Sequence, residues 1–210
     1  MTTVRWRRLA REESRIAGDR ATVAGVDEAG RGPLAGPVVA AAVVLDQSLD
    51  WDGLDDSKQL TAETRAAMFA RVLKGARAFA WSVAGQREID RVNIRRATHG
   101  AMARAVGRLR LVPELVLIDG HETVAGIPHE QLAVIGGDGK CLSIAAASIL
   151  AKVVRDRIME RLDSVWPAYG FARHKGYGTA EHMEALRLHG PCALHRWSFA
   201  PVSELELPLV

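Results

Sequence analysis

Two adjacent carboxylates, Asp27 and Glu28, end a short apolar run and are followed at once by Gly30-Arg31-Gly32. Neighbouring carboxylates repel, and a divalent cation bound between them removes the repulsion. The glycine-flanked arginine supplies positive charge where the backbone can approach a ligand closely, and successive amides in such a turn form an anion-binding nest. Acid, acid and a bare cationic turn is the set required by a metal-dependent enzyme acting on phosphodiesters. A third acid, Asp119, ends the run Leu115-Val116-Leu117-Ile118; acids at the carboxyl ends of buried strands converge at one edge of an open sheet. Alone, Asp119-Gly120 is a turn dipeptide; beside Asp27 and Glu28 it becomes a candidate ligand. Two residues compete for a fourth place: Asp138, in the glycine-rich turn 136–140, and Asp156, four residues from Lys152 at the spacing of an ordinary helical ion pair. An all-oxygen set suits a hard cation, Mg²⁺ or Mn²⁺. His174, His182, His189 and His195 lack the short spacing of zinc helices and read as phosphate contacts or caps.

The candidates for holding a substrate are basic, small or aromatic. Tyr177 is one of 2 tyrosines and stands between glycines in a cationic loop, a setting suited to stacking on a sugar or base; the bland alternative is a plug between two layers. Ser57 and Lys58 sit in an acidic-basic loop and, taken alone, are ordinary solvated turn residues. Ser148, Lys152 and Arg155 recur at i, i+4 and i+7 and would share one side of a helix, facing either a phosphate or solvent.

These residues need strands that end together and a helix laid across them. Thr22–Asp27 and Val38–Leu45 read as strands, the second buried on both faces. Thr61 reads as the N-cap of a helix reaching about Leu73, and Ala78–Ala84 as a strand. Apolar spacing predicts one helix over Glu88–Leu109, then strands over Leu115–Asp119 and Leu132–Ile135. A long helix follows over Ser143–Leu162. Hairpin-linked strands followed by alternating strands and helices predict a mixed sheet covered by helices, an α/β domain. The composition shifts to His, Gly and Arg after Pro167, so residues 1–163 read as the catalytic unit and 164–210 as a small, mainly helical C-terminal cap.

With 48% hydrophobic and 25% charged residues and a mean hydropathy of -0.01, a disordered or fibrous chain is excluded. The net charge of +3 permits a polyanionic partner despite the acidic cluster. Two cysteines, Cys141 and Cys192, suggest neither a disulfide framework nor zinc. The uncharged stretch Gly32–Leu45 is too short, and too rich in Pro and Gly, to span a bilayer, and the Arg-rich start lacks a signal-peptide core. A cytoplasmic monomer with no membrane contact is expected.

The run GVDEAGRGPLAGPV (25–38) resembles the opening motif of the ribonuclease HII family, the type 2 ribonucleases H. DDSKQL (55–60), LVLIDG (115–120), GGDGK (136–140), AAASILAKVVRD (145–156), HKGYGT (174–179) and HRWSFAPV (195–202) resemble further family blocks in the family's order. The resemblance implies a ribonuclease H-like fold and an endonuclease that cleaves the RNA strand of RNA–DNA hybrids. It also implies nicking 5′ to ribonucleotides embedded in duplex DNA, leaving 3′-hydroxyl and 5′-phosphate ends, and a role in removing misincorporated ribonucleotides and RNA primers. Asp27, Glu28, Asp119 and, by its place in the motif order, Asp138 would hold one or two Mg²⁺ or Mn²⁺ ions, which leaves Asp156 structural. Gly30, Arg31 and Gly32 would read the ribose 2′-hydroxyl, the group that distinguishes RNA from DNA. Tyr177, Ser57 and Lys58 would contact substrate, with Ser148 and Lys152 beside them. The chain departs from the pattern at Trp197, where the family carries a second arginine. The sister type 3 branch is similar but typically carries an extra N-terminal domain, whereas 26 residues precede Asp27 here. A hybrid-binding protein without catalysis would be expected to lack one or more of the acids.

Overall fold

The sequence Val38-Val39-Ala40-Ala41-Ala42-Val43-Val44-Leu45 has no polar residue to present to water, and in the computed structural model, which describes residues 3–55, 57 and 60–204, it is the strand covered on both faces. The elements run α1 (Thr3–Ala17), β1 (Val23–Ala29), β2 (Val38–Leu45), α2 (Ala62–Gly75), β3 (Ala76–Ala84), α3 (Gln86–Val92), α4 (Ile94–Gly107), β4 (Leu115–Asp119), β5 (Glu130–Val134), α5 (Leu142–Val165), α6 (Phe171–His174) and α7 (Ala180–His189). The strands form one sheet in the order β3-β2-β1-β4-β5. β1, β2 and β3 pair antiparallel, whereas β1, β4 and β5 pair parallel. Alternation along β2 serves both layers. Val39, Ala41 and Val43 pack with Leu142, Ala146 and Ile149 of α5, and Val38, Ala40, Ala42 and Val44 with Ala97, Ala101 and Ala105 of α4. Alanines on strand and helices alike let the backbones approach closely. The tightest approach is at Gly25 in β1, where an added Cβ would lie 2.1 Å from the Ser143 carbonyl carbon. This architecture is the mixed, helix-covered sheet that the patterning predicts.

Several boundaries differ from expectation: β1 runs two residues past Asp27, to Ala29, and β3 begins two residues earlier, at Ala76. The single helix expected over 88–109 is broken at Asn93, whose φ of 71° ends α3 while its side chain accepts from the Arg96 amide at 3.0 Å to begin α4. Asparagine tolerates the left-handed region and caps well, so one residue does both. The fifth strand begins two residues earlier and ends one earlier, and α5 extends one residue further at its start and three at its end. Beyond Trp166 the chain forms the single turn α6 and the ten-residue helix α7, gathered around Tyr169, Phe171, Met159, Leu186 and Val202. No helix among the described residues is long and apolar enough to cross a membrane.

Candidate active site

β1 and β4 are parallel with Val26 opposite Ile118, so Asp27 and Asp119 stand side by side one residue further on, Asp27 still paired with Ala41 of β2 and Asp119 with Val134 of β5. Asp138 arrives from a 3₁₀ turn, Gly137–Gly139, just before α5. One carboxylate oxygen from each of Asp27, Asp119 and Asp138 lies within 4.8 Å of the others. The turn is held in place by the acid it approaches, because the Gly137 amide donates to Asp119 Oδ1 at 2.7 Å. Close packing favours glycine there: an added Cβ would meet the end of the Ile144 side chain at 2.5 Å, and that side chain would have to shift.

Asp27 and Asp138 are buried, and Asp119 half-buried. Burial, and then the charges of Glu28 and Asp119, push the Asp27 carboxyl well above its ordinary value, while bonds from the Ser148 hydroxyl and the Glu28 amide oppose the shift. The amide of Glu28 donates to Asp27 Oδ1 at 2.7 Å. Three crowded acids with only partial hydrogen-bond compensation are costly as an apo arrangement and suited to a hard divalent cation, whose charge reverses that cost. The donor set is oxygen only, as Mg²⁺ or Mn²⁺ prefers.

Glu28 lies beside these three rather than among them. Successive residues of a strand face opposite sides, so Asp27 turns toward α5 while Glu28 borders Thr98, His99 and Met102 of α4. Arg31 Nη1 stands 3.4 Å from its Oε1. The structure therefore brings three of the four candidate acids together and leaves Glu28 at their edge. Asp156 is remote from the cluster and accepts from Lys152 Nζ at 2.9 Å, the helical pair its spacing suggests.

A cleft of about 270 Å³ opens beside the acids. Asp27, Glu28, Asp119, Gly30, Arg31, Gly32, Ser57, Ser148, Lys152 and Tyr177 all contribute to its wall, so nearly every candidate drawn from the sequence faces one space. Lys58 lies outside the described residues. Ser148 is buried, its hydroxyl 2.9 Å from that of Ser57 and bonded to Asp27, so it orients the acid. Tyr177 is 45% exposed, its ring 3.8 Å from where a Gly32 Cβ would stand, which puts an open aromatic face against the turn.

Four residues differ from their sequence-based reading. Arg155 faces neither solvent nor a phosphate: it is 1% exposed and donates from Nε to Pro37 O at 2.9 Å and from Nη2 to Ala35 O at 3.3 Å. Gly30, at φ 97°, has room only because it has no side chain, since a Cβ would lie 1.9 Å from Arg155 Nε. His174, His182 and His195 neither cap a helix nor face a phosphate. They are buried around Phe171, His174 stacked on His182 with ring centres 4.5 Å apart; the apolar spacing of this short segment is too irregular to reveal them. Arg65 and Arg196 pass unnoticed in the sequence. Arg65 fixes the Ser57 loop through Ser57 O and Leu60 O, and Arg196 grips the Gly-Arg-Gly turn from beneath. An arginine carries no local signature of the backbone carbonyls it will bond, so neither could be found by pattern.

Converging aspartates on a mixed sheet, beside a cationic glycine turn, define a metal-dependent nuclease of the ribonuclease H-like fold. The family profile of ribonuclease HII matches residues 24–202. Ribonuclease HII 1 of Methylibium petroleiphilum is 55% identical over 179 residues, covering 85% of this chain and 90% of that protein. Ribonuclease HII of Xanthobacter autotrophicus is 53% identical over 201 residues, covering 96% and 80%. The crystal structure of ribonuclease H2 from Pyrococcus horikoshii superimposes with a TM-score of 0.75 at 28% identity, over 87% of this chain and 96% of that one. The chain belongs to the ribonuclease HII family, divalent-metal-dependent endonucleases that cleave RNA in RNA–DNA hybrids.

Proposed function

We propose that this enzyme incises on the 5′ side of ribonucleotides embedded in duplex DNA, as well as cleaving the RNA strand of hybrids, and leaves 3′-hydroxyl and 5′-phosphate ends. Asp27, Asp119 and Asp138, with Glu28 at their edge, are its ligands for one or two Mg²⁺ or Mn²⁺ ions. When bound, these cations activate water and offset charge on the phosphate. The observation that carries this reading is the convergence of three carboxylates within 4.8 Å at the mouth of a cleft whose far wall is Gly30-Arg31-Gly32 and Tyr177.

The chain's own groups divide the remaining work. The Gly30–Gly32 backbone and Arg31 take the ribose and its 2′-hydroxyl, Tyr177 stacks on the sugar or base beside it, and Ser57, Lys58 and Lys152 contact flanking phosphates. Ser148 holds the Asp27 carboxylate in orientation. Residues 164–210 act as a cap on the catalytic unit 1–163, presenting Tyr177 to it. The enzyme works as a monomer in the cytoplasm, a reducing compartment in keeping with two buried free cysteines.

A denaturing gel tests the proposal with an end-labelled duplex carrying one ribonucleotide, an all-DNA control and a long hybrid, each with Mg²⁺, Mn²⁺ or EDTA. The expected result is a metal-dependent nick 5′ to the ribonucleotide and none in the control. Cleavage of the long hybrid alone would overturn the proposed specificity.

A further inference from the structure

Three stretches distant in sequence meet behind the cleft: the turn 30–36, the loop carrying Tyr177, and the extended segment 194–196. The Leu34 amide donates to Gly176 O at 2.8 Å, Gly36 N to Leu194 O at 2.9 Å, and Arg196 N to Leu34 O at 2.9 Å. On this backbone frame two adjacent side chains reach in different directions.

Arg196 is fully buried and spends its donors on carbonyls of the turn. Nη2 bonds Gly30 O at 2.5 Å and Gly36 O at 2.9 Å, Nη1 bonds Arg31 O at 2.8 Å, and Nε bonds Gly36 O at 3.0 Å. The planar guanidinium fork is suited to holding several acceptors at fixed angles, so it fixes the backbone of the turn from behind the cleft. Burial, and then the charge of Arg155, lower its pKa to about 9, while Asp90 and Tyr177 oppose the shift, so the guanidinium keeps its charge at neutral pH.

His195 reaches the other wall. The Cys192 amide donates to His195 Nδ1 at 2.9 Å, shorter than the 3.3 Å from Nδ1 to Cys192 O; the amide bond requires the ring proton on Nε2, and the His182 contacts require the same. His195 Nε2 lies 3.0 Å from His182 Nε2, and His182 Nδ1 lies 2.9 Å from Tyr177 O. A carbonyl only accepts, so His182 carries its proton on Nδ1 and receives the His195 proton on Nε2. Both rings are thus neutral, each in one tautomer, in a directed chain from Cys192 N–H to the Tyr177 carbonyl. His174 accepts from the Gly176 amide at 3.2 Å and steadies the same loop.

We propose that His195 and Arg196 are positioning residues that together fix the gap between the Gly30–Gly32 turn and Tyr177, and through that gap the selection of a ribonucleotide over a deoxyribonucleotide. The proposal rests on the reading of the turn and Tyr177 given under Proposed function. Neither residue touches the substrate; both act through elements that do.

The test compares selectivity, taken as the inhibition constant of an all-DNA duplex divided by the KM for the same duplex with one ribonucleotide, alongside thermal melts. His195→Asn keeps an acceptor for the Cys192 amide and loses the donor to His182; His195→Gln keeps the donor. We expect His195→Asn to lower selectivity about tenfold, the size of one unmade buried hydrogen bond, and His195→Gln to retain it. Arg196→Lys, which cannot span three carbonyls, should lower selectivity at least as far. On a Tyr177→Ala background, His195→Asn should add nothing. Folded His195→Asn and Arg196→Lys proteins with unchanged selectivity overturn the proposal while leaving the reading of the cleft intact. A wild type without selectivity overturns that reading and the proposal with it. Nitrogen NMR of the wild type at neutral pH tests the chain without any variant: His182 protonated on Nδ1 and His195 on Nε2 support it, and either opposite tautomer overturns it.

Discussion

Replacing Asp27 by asparagine should abolish cleavage and, in the absence of metal, make the protein more stable. The carboxylate oxygens of Asp27, Asp119 and Asp138 lie within 4.8 Å. Two unit charges at that separation repel by about 3.5 kcal/mol at an effective dielectric constant of about 20. Asp27 is also 5% exposed, so its charge is poorly hydrated. Asparagine is nearly isosteric and can still accept from Ser148 and from the Glu28 amide, so it relieves the strain without leaving those donors unpaired. Allowing for spread charge and the part that hydrogen bonds already offset, we expect a net gain of about 2 kcal/mol, or roughly 4–8 °C in Tm for a chain of this size. Saturating metal should reverse the order. At a hundredfold excess over Kd the wild type gains about 2.7 kcal/mol, whereas Asp27→Asn gains little. Differential scanning fluorimetry in EDTA, then with rising Mg²⁺ or Mn²⁺, reads both effects. The reasoning is refuted if Asp27→Asn melts below the wild type in EDTA, or if metal stabilises the two equally.

Three further outcomes follow from particular contacts. Gly30→Ala places a methyl 1.9 Å from Arg155 Nε at φ 97°, and the buried guanidinium cannot move aside; we expect a loss of about 2–4 kcal/mol in urea unfolding and at least tenfold in kcat/KM. Asp138→Asn should lose activity by two orders of magnitude or more, while Asp156→Asn, which breaks the Lys152 pair, should stay within a few-fold in the same gel assay, since only the first removes a ligand of the cation. Burial, and then His182, hold the His195 pKa at about 4 against the ordinary 6.5. Because the folded state takes up this proton later than the unfolded one, the site contributes full stability above pH 6.5 and loses about 3 kcal/mol as pH falls from 6.5 to 4. Melting temperatures across that range should fall more steeply for the wild type than for His195→Gln.

The sheet was legible because its strands are short apolar runs bounded by turn residues, and because β2, without a polar side chain, can only be central. The acids were legible for a related reason: Asp27 and Asp119 are abrupt polar ends to such runs. Asp138 was not separable from Asp156 by residue type alone; the order of motifs favoured it, and the structure brings its carboxylate to the cluster through a 3₁₀ turn whose geometry depends on Gly137 and Asp119 together. What stayed hidden is the support behind the cleft. Arg155 continues the helical spacing of Ser148 and Lys152, yet the turn 30–37 folds over it and supplies carbonyls that no local pattern reveals. The histidines of the C-terminal segment were misread for the same reason, since their partners are one another and backbone groups brought together only by the tertiary fold.

The most direct test of the central claim, that the three aspartates form the cation site the enzyme uses, is anomalous diffraction from crystals of the wild type soaked in Mn²⁺. The account predicts a peak enclosed by the carboxylates of Asp27, Asp119 and Asp138, within about 2.2 Å of their oxygens, that is lost in Asp138→Asn. Manganese bound only elsewhere, in an enzyme that still cuts at a ribonucleotide, would contradict it.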